Sequence, residues 1–343
     1  MYVIFAFGLA FICYLRPEAN DFDRYAYEAL ARLKTQPIQQ VYSIVKHESP
    51  RAEASSIMDS PEHLAQLLPL YAIRPVYVEL VALMSEMTGS PPEAIRLISS
   101  ASYFFCGVLL GAITRRYLYS ALVVVTPGIV NAARVGTPDI LSGAVLLGAF
   151  VAIINEKYAP AILLLMASVW VRTDNAIFVM TMLAWLVVRK KLRISHGIVL
   201  AGVVCGSVET IDLFSGNYGW GVLFQYSFVA GKYPAEIVPH ITPLTYMRVF
   251  AVGAESLASQ IAPWLLLGSV GWKLRSFETA YLVPVVVASV LHFFLYPSPE
   301  GRYFVWAYLI VGFVFIEAMK GMRRKQMLVP STCPSQLSRV NVA

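Results

Sequence analysis

The sequence predicts an all-α membrane protein: a polytopic bundle of about ten transmembrane helices with an outward amphipathic segment beside the membrane. Three observations predict this class. Of the 343 residues, 57% are hydrophobic and only 14% are charged, whereas soluble domains carry about 25% charged residues. Apolar runs of membrane-spanning length recur along the chain. The net charge of +6 lies in short basic patches between these runs, which indicates membrane topology and argues against nucleic-acid binding.

Lys and Arg concentrate in the short cytoplasmic loops of membrane proteins, so the basic patches orient the chain. The candidate apolar runs are 1–15, 71–88, 95–114, 117–133, 138–155, 158–171, 174–188, 195–211, 245–270, 278–296 and 302–319. The densest basic patches are Arg115/Arg116, Arg189/Lys190/Lys191/Arg193, Lys273/Arg275 and Lys320/Arg323/Arg324/Lys325. No small-x-small cleavage site precedes Arg16, so we expect the first run to be a membrane helix rather than a signal peptide.

The run 71–88 decides the topology. If it crossed the membrane, Arg115 and Arg116 would lie on the side opposite a cytoplasmic amino terminus. Glu79 and Glu86 are seven residues apart and share one helix face, which is typical of a helix lying in the membrane interface. We therefore predict that 71–88 does not cross, that both termini are cytoplasmic, and that all four basic patches lie inside.

This topology divides the chain. Residues 1–325 form a transmembrane domain, and 326–343 form a cytoplasmic polar tail. Residues 16–94 form an outward loop with juxtamembrane helices, and 212–243 form a second outward loop. The other outward turns are 134–139, 172–175 and 296–303. The polar, non-basic features of the chain are thus expected on one outer face.

The first acidic motif is "NDFDRYAYEAL". Asn20 or Asp21 is suited to cap a helix that begins near Phe22. Asp21 and Asp23 also lie at the membrane boundary, where burial raises the pKa of a carboxyl group and makes it a competent base. Both interpretations stay open on this motif alone.

A second motif is "RVGTPDILSG". Thr137, Pro138 and Asp139 form a strong helix-start signal, with Thr137 as the cap and Asp139 near the positive end of the helix dipole. Arg134 closes the preceding helix on the outer side, where the inside bias of basic residues does not require it. An arginine near the bilayer surface usually has a partner or ligand.

Two outward turns each combine an arginine with a carboxylate: Arg172 with Asp174, and Glu300 with Arg302 and Tyr303. Such a pair is worth about 0–1 kcal/mol when it is an exposed ion pair within one loop. Arg74, in "IRPVY", adds another outward arginine. Because guanidinium groups suit bidentate phosphate recognition, the set favours an anionic headgroup as ligand.

In this order, the motifs resemble those of the GT-C glycosyltransferases, in the branch containing protein O-mannosyltransferases and the aminoarabinose transferases that modify lipid A. The matching segments are Asp21-Phe22-Asp23-Arg24-Tyr25-Ala26, Arg74-Pro75-Val76-Tyr77, "GAITRRYLYSALVVVTPGIVNAARVGTPD" ending at Asp139, Arg172, and "EGRYFVWAYL". The resemblance covers most of residues 1–190 and returns at 296–310. The family's common Asp-Glu pair reads Asp21-Phe22 here, with the second acid at Asp23, so both aspartates are candidates for the base.

The resemblance implies an integral-membrane enzyme that transfers a hexosyl or pentosyl group from a polyprenyl-phosphate-linked donor. It implies that Asp21, or Asp23 as the alternative, takes a proton from the acceptor hydroxyl, and that Asp139 orients the site or binds the acceptor. The substrate-binding candidates are Arg24, Tyr25, Arg74, Arg134, Arg172, Asp174, Glu300, Arg302 and Tyr303. We expect the acceptor to be a lipid, glycan or protein on the periplasmic face of a bacterial inner membrane.

No cofactor is expected, and a divalent cation is left open. The histidines are scattered without the spacing of a metal cluster. Two other functions stay open on the sequence. A transporter or flippase of lipid-linked or small sugars would also present outward charges, although no internal repeat is evident. A membrane acyltransferase or polysaccharide ligase is the other alternative, and an acyltransferase would be expected to rely on a membrane-embedded histidine.

Overall fold

The computed structural model describes residues 1–17, 22–48, 59–229, 233–273 and 280–328. Within these ranges the chain forms helices and no β-strand, so the predicted all-α class is confirmed. The helices are α1 (Tyr2–Leu15), α2 (Phe22–Arg32), α3 (Ile38–Glu48), α4 (Pro61–Leu67), α5 (Pro69–Ala72), α6 (Pro75–Thr88), α7 (Pro91–Thr114), α8 (Tyr117–Val124), α9 (Pro127–Arg134), α10 (Asp139–Ile154), α11 (Tyr158–Val171), α12 (Asn175–Val188), α13 (Ile194–Ser215), α14 (Trp220–Phe228), α15 (Pro243–Lys273), α16 (Leu282–Leu295) and α17 (Val305–Leu328). Short 3-10 turns cover Pro234–Glu236 and Gly301–Phe304.

Length and composition mark the chain as a membrane protein. Four spans within the described ranges are long and apolar enough to cross a bilayer: Pro91–Thr114, Ile194–Ser215, Pro243–Val270 and Gly301–Lys320. The apolar helices α1, α10, α11, α12 and α16 have only 14 to 16 residues. A perpendicular crossing needs about 17–25 residues. The count of about ten crossings therefore stays a prediction.

The centre of the bundle is α10, which contacts α7, α11 and α17. Leu146, Leu147 and Phe150 are completely buried on it. A helix that is apolar all round is typical of a buried core helix or of a membrane span. At Gly143 a Cβ atom would lie 3.0 Å from Leu309 Cδ1, so the glycine lets α17 approach closely.

One end of the bundle carries the turn that precedes α10. Arg134 Nε donates to the carbonyl oxygen of Arg16 at 2.7 Å, and the Tyr14 hydroxyl donates to Glu93 Oε2 at 2.7 Å. The end of α1, the start of α7 and the end of α9 therefore lie together. Because α9 leads directly into α10, Asp139 belongs to the same end. We call this the site end.

The opposite end carries basic residues. Tyr2, at the start of α1, stacks on Tyr117 with ring centroids 5.2 Å apart, which places the basic pair 115–116 there. Lys191, which follows α12, forms an ion pair at 2.7 Å with Glu156 in the turn between α10 and α11. Two of the predicted basic patches thus lie together, away from the site end.

The run 117–133, predicted as one crossing helix, is broken into α8 and α9. Pro127 has no backbone N–H, and Thr126 before it is extended at φ −62° and ψ 139°. Both features stop a helix from continuing. Each piece has eight residues and is about 12 Å long, so neither spans a bilayer alone.

The segment 71–88, predicted as one amphipathic helix, is interrupted at Arg74. A new helix begins at Pro75, where proline suits the first helical position. The paired helices Pro61–Ala72 and Pro75–Thr88 bend by 113° at this point. The amphipathic pattern itself is present on α6, where Glu79 and Glu86 are exposed while Tyr77 and Val81 are buried.

A layer of short helices covers part of the site end. Tyr25, Val41, Leu64 and Leu67 form a small apolar core among α2, α3 and α4, to which α14 adds side chains. The layer is attached to the bundle through α6, because the buried Tyr77 hydroxyl donates to the Gly136 carbonyl at 3.0 Å. The predicted juxtamembrane helices therefore pack on the turn that precedes α10.

Candidate active site

Helix ends bring the predicted residues together at the site end. Asp139 is the first residue of α10, Arg172 follows α11, and Asp174 precedes α12. Since α10, α11 and α12 follow one another through short turns, the turn at 172–174 returns to the start of α10. Arg302 lies in the 3-10 turn before α17, which packs on α10.

Arg172 is the buried centre of the site, with a side chain only 3% exposed. It forms an ion pair with Asp139 and a bidentate pair with Asp174, in which Nε donates to Asp174 Oδ1 at 3.0 Å and Nη2 donates to the other oxygen. Its guanidinium carbon lies 5.2 Å from the centre of the Tyr303 ring. A buried charge is destabilising unless it is paired, and these two carboxylates compensate the charge of Arg172 in this position.

The predicted cap on α10 is wrong. Pro138 occupies the N-cap position, and no side chain accepts from the first backbone amides of the helix. The Thr137 hydroxyl instead donates to Asp139 Oδ2 at 2.6 Å. Asp139 is 2% exposed, and a buried carboxylate requires hydrogen-bond or ionic partners inside the protein because water does not reach it.

Arg302 links this centre to α2. Its Nη2 donates to Asp23 Oδ2 at 2.6 Å, its Nε donates to Glu300, and the same Nε lies 3.9 Å from Asp139 Oδ2. The Tyr303 ring lies 5.3 Å from the guanidinium. The arginine side chain is 9% exposed, whereas Glu300 is 51% exposed. One guanidinium therefore spans from a buried carboxylate to one that faces solvent.

Asp23 is held as a carboxylate from two sides. Besides Arg302, the Tyr71 hydroxyl donates to Asp23 Oδ1 at 2.6 Å. Burial opposes ionisation, but the charge of Arg302, the hydrogen bond from Tyr71 and the charge of Arg74 together hold the pKa of Asp23 below its usual value. While these contacts persist, Asp23 is a weak base.

Arg74 differs from the other two arginines. Within the described ranges it forms no ion pair with a carboxylate: Nη1 donates to the Leu70 carbonyl at 3.3 Å, and the guanidinium lies 5.8 Å from the rings of Tyr27 and Tyr71. Burial acts against its charge, but neighbouring tyrosines and the carboxylates of Asp174 and Asp23 keep the pKa of Arg74 above its usual value. Its positive charge is thus permanent and lacks a direct anionic partner in the described structure.

His292 joins the site from α16 although it was not among the predicted site residues. Its Nε2 atom lies 3.6 Å from Asp174 Oδ2, and the side chain is 5% exposed. Its ring centre is 5.3 Å from that of Phe304. The only sequence signal was an isolated histidine in an apolar helix, which favours a buried function without indicating a partner.

These charged side chains lie close to one another at the site end, and we call the set the charge network. Its carboxylates are Asp23, Asp139, Asp174 and Glu300, and its arginines are Arg74, Arg172 and Arg302. Carboxylates therefore outnumber guanidinium groups in the described network, even though most of it is buried. Such an arrangement suits a site that receives charged groups in defined orientations.

Three predicted site residues, Arg24, Tyr25 and Arg134, have their described contacts outside this network. Asp21 lies outside the described residues. Arg24 packs its side chain on Gly136 and lies 4.8 Å from the Tyr25 ring, and the buried Tyr25 hydroxyl points to the Glu48 carbonyl at 3.4 Å. Consecutive helix positions differ by about 100°, so Asp23 can face the network while the next two residues do not.

Arg134 is the third of these residues. Its Nε donates to the carbonyl oxygen of Arg16, and its guanidinium lies at the surface of the site end. The tight turn 135–138 separates it from the buried start of α10. Its predicted role in substrate binding is therefore not supported by contact with the network.

A large apolar groove begins beside the charge network. It has a volume of about 710 Å³ and runs between α15, α16 and α17. Its lining is almost entirely hydrophobic and includes Phe250, Leu257, Trp264, Val285, Phe293, Phe304 and Val311. Gly253 brings α15 against the segment before Arg302, because a Cβ atom there would collide with the Pro297 carbonyl oxygen. The groove and the network therefore share the chain segment around 297–304.

The part of the chain that the structure describes contains no group of three or more His, Cys, Asp or Glu side chains placed to hold a metal ion. The divalent cation left open by the sequence stays a prediction. Comparisons of the chain with protein-family models, curated proteins and solved structures find no match. The site is accordingly interpreted from its own chemistry.

Proposed function

We propose that this chain is an integral-membrane glycosyltransferase that uses a polyprenyl-phosphate-linked sugar as its donor. The acceptor is a lipid, glycan or protein on the outer face of a bacterial inner membrane. The proposed arrangement has about ten crossings, both termini in the cytoplasm and the site end facing the periplasm. The resemblance of the motifs at 21–26, 74–77 and 296–310 to the GT-C glycosyltransferases agrees with this proposal.

One observation carries the proposal: a buried charge network and a long apolar groove meet at consecutive residues. Arg302 belongs to the network and Phe304 lines the groove. On α16, His292 contacts the network and Phe293 lines the groove. Because Arg74 has no paired carboxylate in the described structure, the two features together favour a ligand with an anionic head joined directly to a long hydrocarbon chain. A polyprenyl phosphate has this construction.

The groove and the network make different contributions to binding. Lipid tails are as apolar as leucine, so a polyprenyl chain gains packing contacts in the groove but little hydrophobic free energy. Affinity and specificity therefore depend on the charged end. Arg74 carries a positive charge without a paired carboxylate in the described structure, and its planar guanidinium suits a phosphate.

The proposed reaction needs a base and positive charge. Asp23, or Asp21, takes the proton of the acceptor hydroxyl as that oxygen forms a bond to the anomeric carbon. The bond between the anomeric carbon and the phosphate oxygen breaks, and its electron pair leaves with the polyprenyl phosphate. Arg74 and Arg302 stabilise the growing negative charge on that phosphate. Removing one such donor typically raises a barrier by about 2.7–4 kcal/mol.

The direct test is transfer of labelled sugar by the purified protein. The protein is reconstituted in liposomes and incubated with a panel of radiolabelled polyprenyl-phosphate sugars and candidate lipid, glycan and peptide acceptors. We expect one donor to be consumed, with release of unlabelled polyprenyl phosphate. Arg74→Gln should lower the rate by about 100-fold or more. Arg96→Gln is the matched control, because Arg96 lies near the site end but pairs with Glu93.

The two alternative functions give different results in the same liposomes. Passage of a donor across the bilayer without glycosidic bond cleavage would indicate a transporter or flippase. Transfer of an acyl chain would indicate an acyltransferase, and transfer of a preassembled polysaccharide would indicate a ligase. Equal transfer rates in wild type and Arg74→Gln would contradict the phosphate role of Arg74.

A further inference from the structure

The charge network has a feature that the proposed reaction does not use: the arginine nearest the groove is already occupied. Arg302 Nη2 donates to Asp23 Oδ2 at 2.6 Å, and its Nε donates to Glu300. The same residue is two positions from Phe304, which lines the groove. An anionic head that follows its hydrocarbon chain to the end of the groove therefore meets a guanidinium bound to the candidate base.

Competition for one guanidinium makes this meeting consequential. Arg302 already pairs with Asp23 and Glu300, so a phosphate that reaches the end of the groove competes with these carboxylates for the same donors. The phosphate makes its full set of charge-assisted hydrogen bonds to Arg302 only when the guanidinium turns away from a carboxylate.

Arg302 is better placed for this exchange than Arg172. Arg172 is 3% exposed and pairs with two carboxylates, Asp139 and Asp174, at the buried centre of the site. Moving it would leave Asp139, which is also 3% exposed, without its shortest ion pair. Arg302 lies on a short 3-10 turn, and one of its partners, Glu300, is 51% exposed and can be solvated when released.

We propose that Arg302 is a latch on Asp23 that the donor phosphate releases: the guanidinium holds the carboxylate in the resting protein and exchanges it for the incoming phosphate. This inference rests on the proposed function and assigns how its base becomes active. In the donor complex Asp23 keeps its hydrogen bond from Tyr71 but is no longer paired with Arg302. Asp23 is released from its ion pair with Arg302 only when the donor is bound. Deprotonation of the acceptor is thereby coupled to donor binding.

Other titratable groups near Asp23 do not substitute for it as the base. Burial raises the pKa of Tyr71 well above its usual value, and the adjacent Asp23 carboxylate raises it further. Burial likewise raises the pKa of Tyr27 and brings the pKa of Tyr226 to about 12. The hydroxyls of Tyr296 and Tyr303 also face this carboxylate, and Arg74 and Arg302 are its cations. Of these groups, the Asp23 carboxylate is the anion, and it is therefore the candidate proton acceptor.

The latch makes a counterintuitive prediction for binding. Asp23→Asn removes the group that competes with phosphate for Arg302, so this variant should bind undecaprenyl phosphate about tenfold more tightly than wild type while losing sugar transfer. Affinity is measured by equilibrium binding of radiolabelled undecaprenyl phosphate to the full-length, detergent-solubilised protein. A folding defect would weaken binding and transfer together, so the opposite changes are diagnostic.

Two comparisons separate the latch from a general charge effect. Glu93→Gln removes one negative charge from the site end without touching Arg302, because Glu93 pairs with Arg96, and it should leave the affinity unchanged. In an Arg302→Gln background, Asp23→Asn should change the affinity by less than about twofold. An Arg302→Met background, which also removes the charge but keeps much of the apolar stem, provides the same comparison if the glutamine variant does not fold.

The outcomes distinguish the latch from the function it rests on. If wild type binds undecaprenyl phosphate but Asp23→Asn binds no more tightly than Glu93→Gln, the latch is wrong and the proposed function stands. The same conclusion follows if the tightening persists without Arg302. If undecaprenyl phosphate does not bind wild type or any variant, the proposed function fails together with the latch.

Discussion

Arg172 and Asp139 form an ion pair in which each side chain is only 3% exposed. The two residues come from different helix ends, and neither could be buried without the other, because an unpaired buried charge is strongly unfavourable. This pair, together with Asp174, joins α10, α11 and α12 at the site end. It is consequently both a structural element and part of the proposed site.

We predict that breaking this pair destabilises the protein. Asp139→Asn or Arg172→Gln should lower the free energy of unfolding by on the order of 3–5 kcal/mol, because either change removes one partner of a buried ion pair. The double variant Asp139→Leu/Arg172→Met should recover part of this loss while remaining inactive. Thermal unfolding of the detergent-solubilised protein, followed by tryptophan fluorescence, measures the effect.

The pair between Lys191 and Glu156 at the opposite end is the control. These side chains are 34% and 62% exposed, and Glu156→Gln should change stability by less than about 1 kcal/mol. Equal stability losses from Glu156→Gln and Asp139→Asn would contradict the role assigned to burial.

A second prediction concerns the base. Asp23→Asn should abolish transfer while the protein stays folded, because Asp23 is the aspartate of the first motif that contacts the described charge network. Asp21→Asn provides the comparison, since Asp21 is the other candidate from the sequence. Initial rates of sugar transfer decide between them. Wild-type rates in both variants would eliminate this motif as the source of the base.

A third prediction concerns the pH dependence of stability, through Glu28 on α2. This carboxyl is completely buried, and its Oε1 atom accepts from Arg32 Nε at 3.0 Å and Nη2 at 2.8 Å. Burial, together with a hydrogen bond shared with Glu48, raises the pKa of Glu28 from 4.5 to about 7, although Arg32 acts in the opposite direction. The folded protein therefore binds a proton here more tightly than the unfolded chain does.

The sign follows from this difference in proton affinity. The stabilising contribution is fully present below the unfolded pKa of 4.5 and is lost as the pH rises through about 7. The loss is up to about 3 kcal/mol in the free energy of unfolding. Glu28→Gln should remove most of this dependence, since an amide stays neutral. Unfolding midpoints at about pH 5 and about pH 8 test this, and an unchanged slope in Glu28→Gln would rule out Glu28 as its source.

A fourth prediction concerns the apolar groove. Ala258 lines it, so Ala258→Trp should fill part of its volume of about 710 Å³ and lower transfer from long-chain polyprenyl donors. Transfer from donors with short chains should be affected less, because these do not extend along the groove. Ala251→Trp is the matched control, as Ala251 is exposed on the same helix and does not line the groove. Equal effects on long and short donors would argue against a chain-binding role.

Much of the helical framework could be predicted from the sequence. The run 158–171 matches α11, and most other apolar runs match helices within a few residues, because length and hydrophobicity are local properties. The interruptions at Pro127 and Pro75 were misjudged. Proline can begin or break a helix, and the choice depends on what packs around the interrupted turn.

The pairing of the charged residues could not be predicted in the same way. The motifs identified Asp139, Arg172 and Arg302 as site candidates, but the sequence indicated only an exposed ion pair between Arg172 and Asp174 within one loop. In the structure Arg172 is buried and also pairs with Asp139. His292 carried no partner signal, because a contact between α16 and the 172–174 turn depends on how the helices pack.

The sequence alone determined that this is an all-helical membrane protein with charged residues at helix ends. Composition and the spacing of apolar runs are properties of the linear sequence and do not depend on tertiary contacts. Only the tertiary structure decided that Asp23 faces Arg302 while Arg24 and Tyr25 face elsewhere. Helix rotation and long-range packing set these directions. A contact between residues 23 and 302 depends on the packing of the whole bundle. This contact joins the candidate base to the chain segment 297–304, which borders the groove.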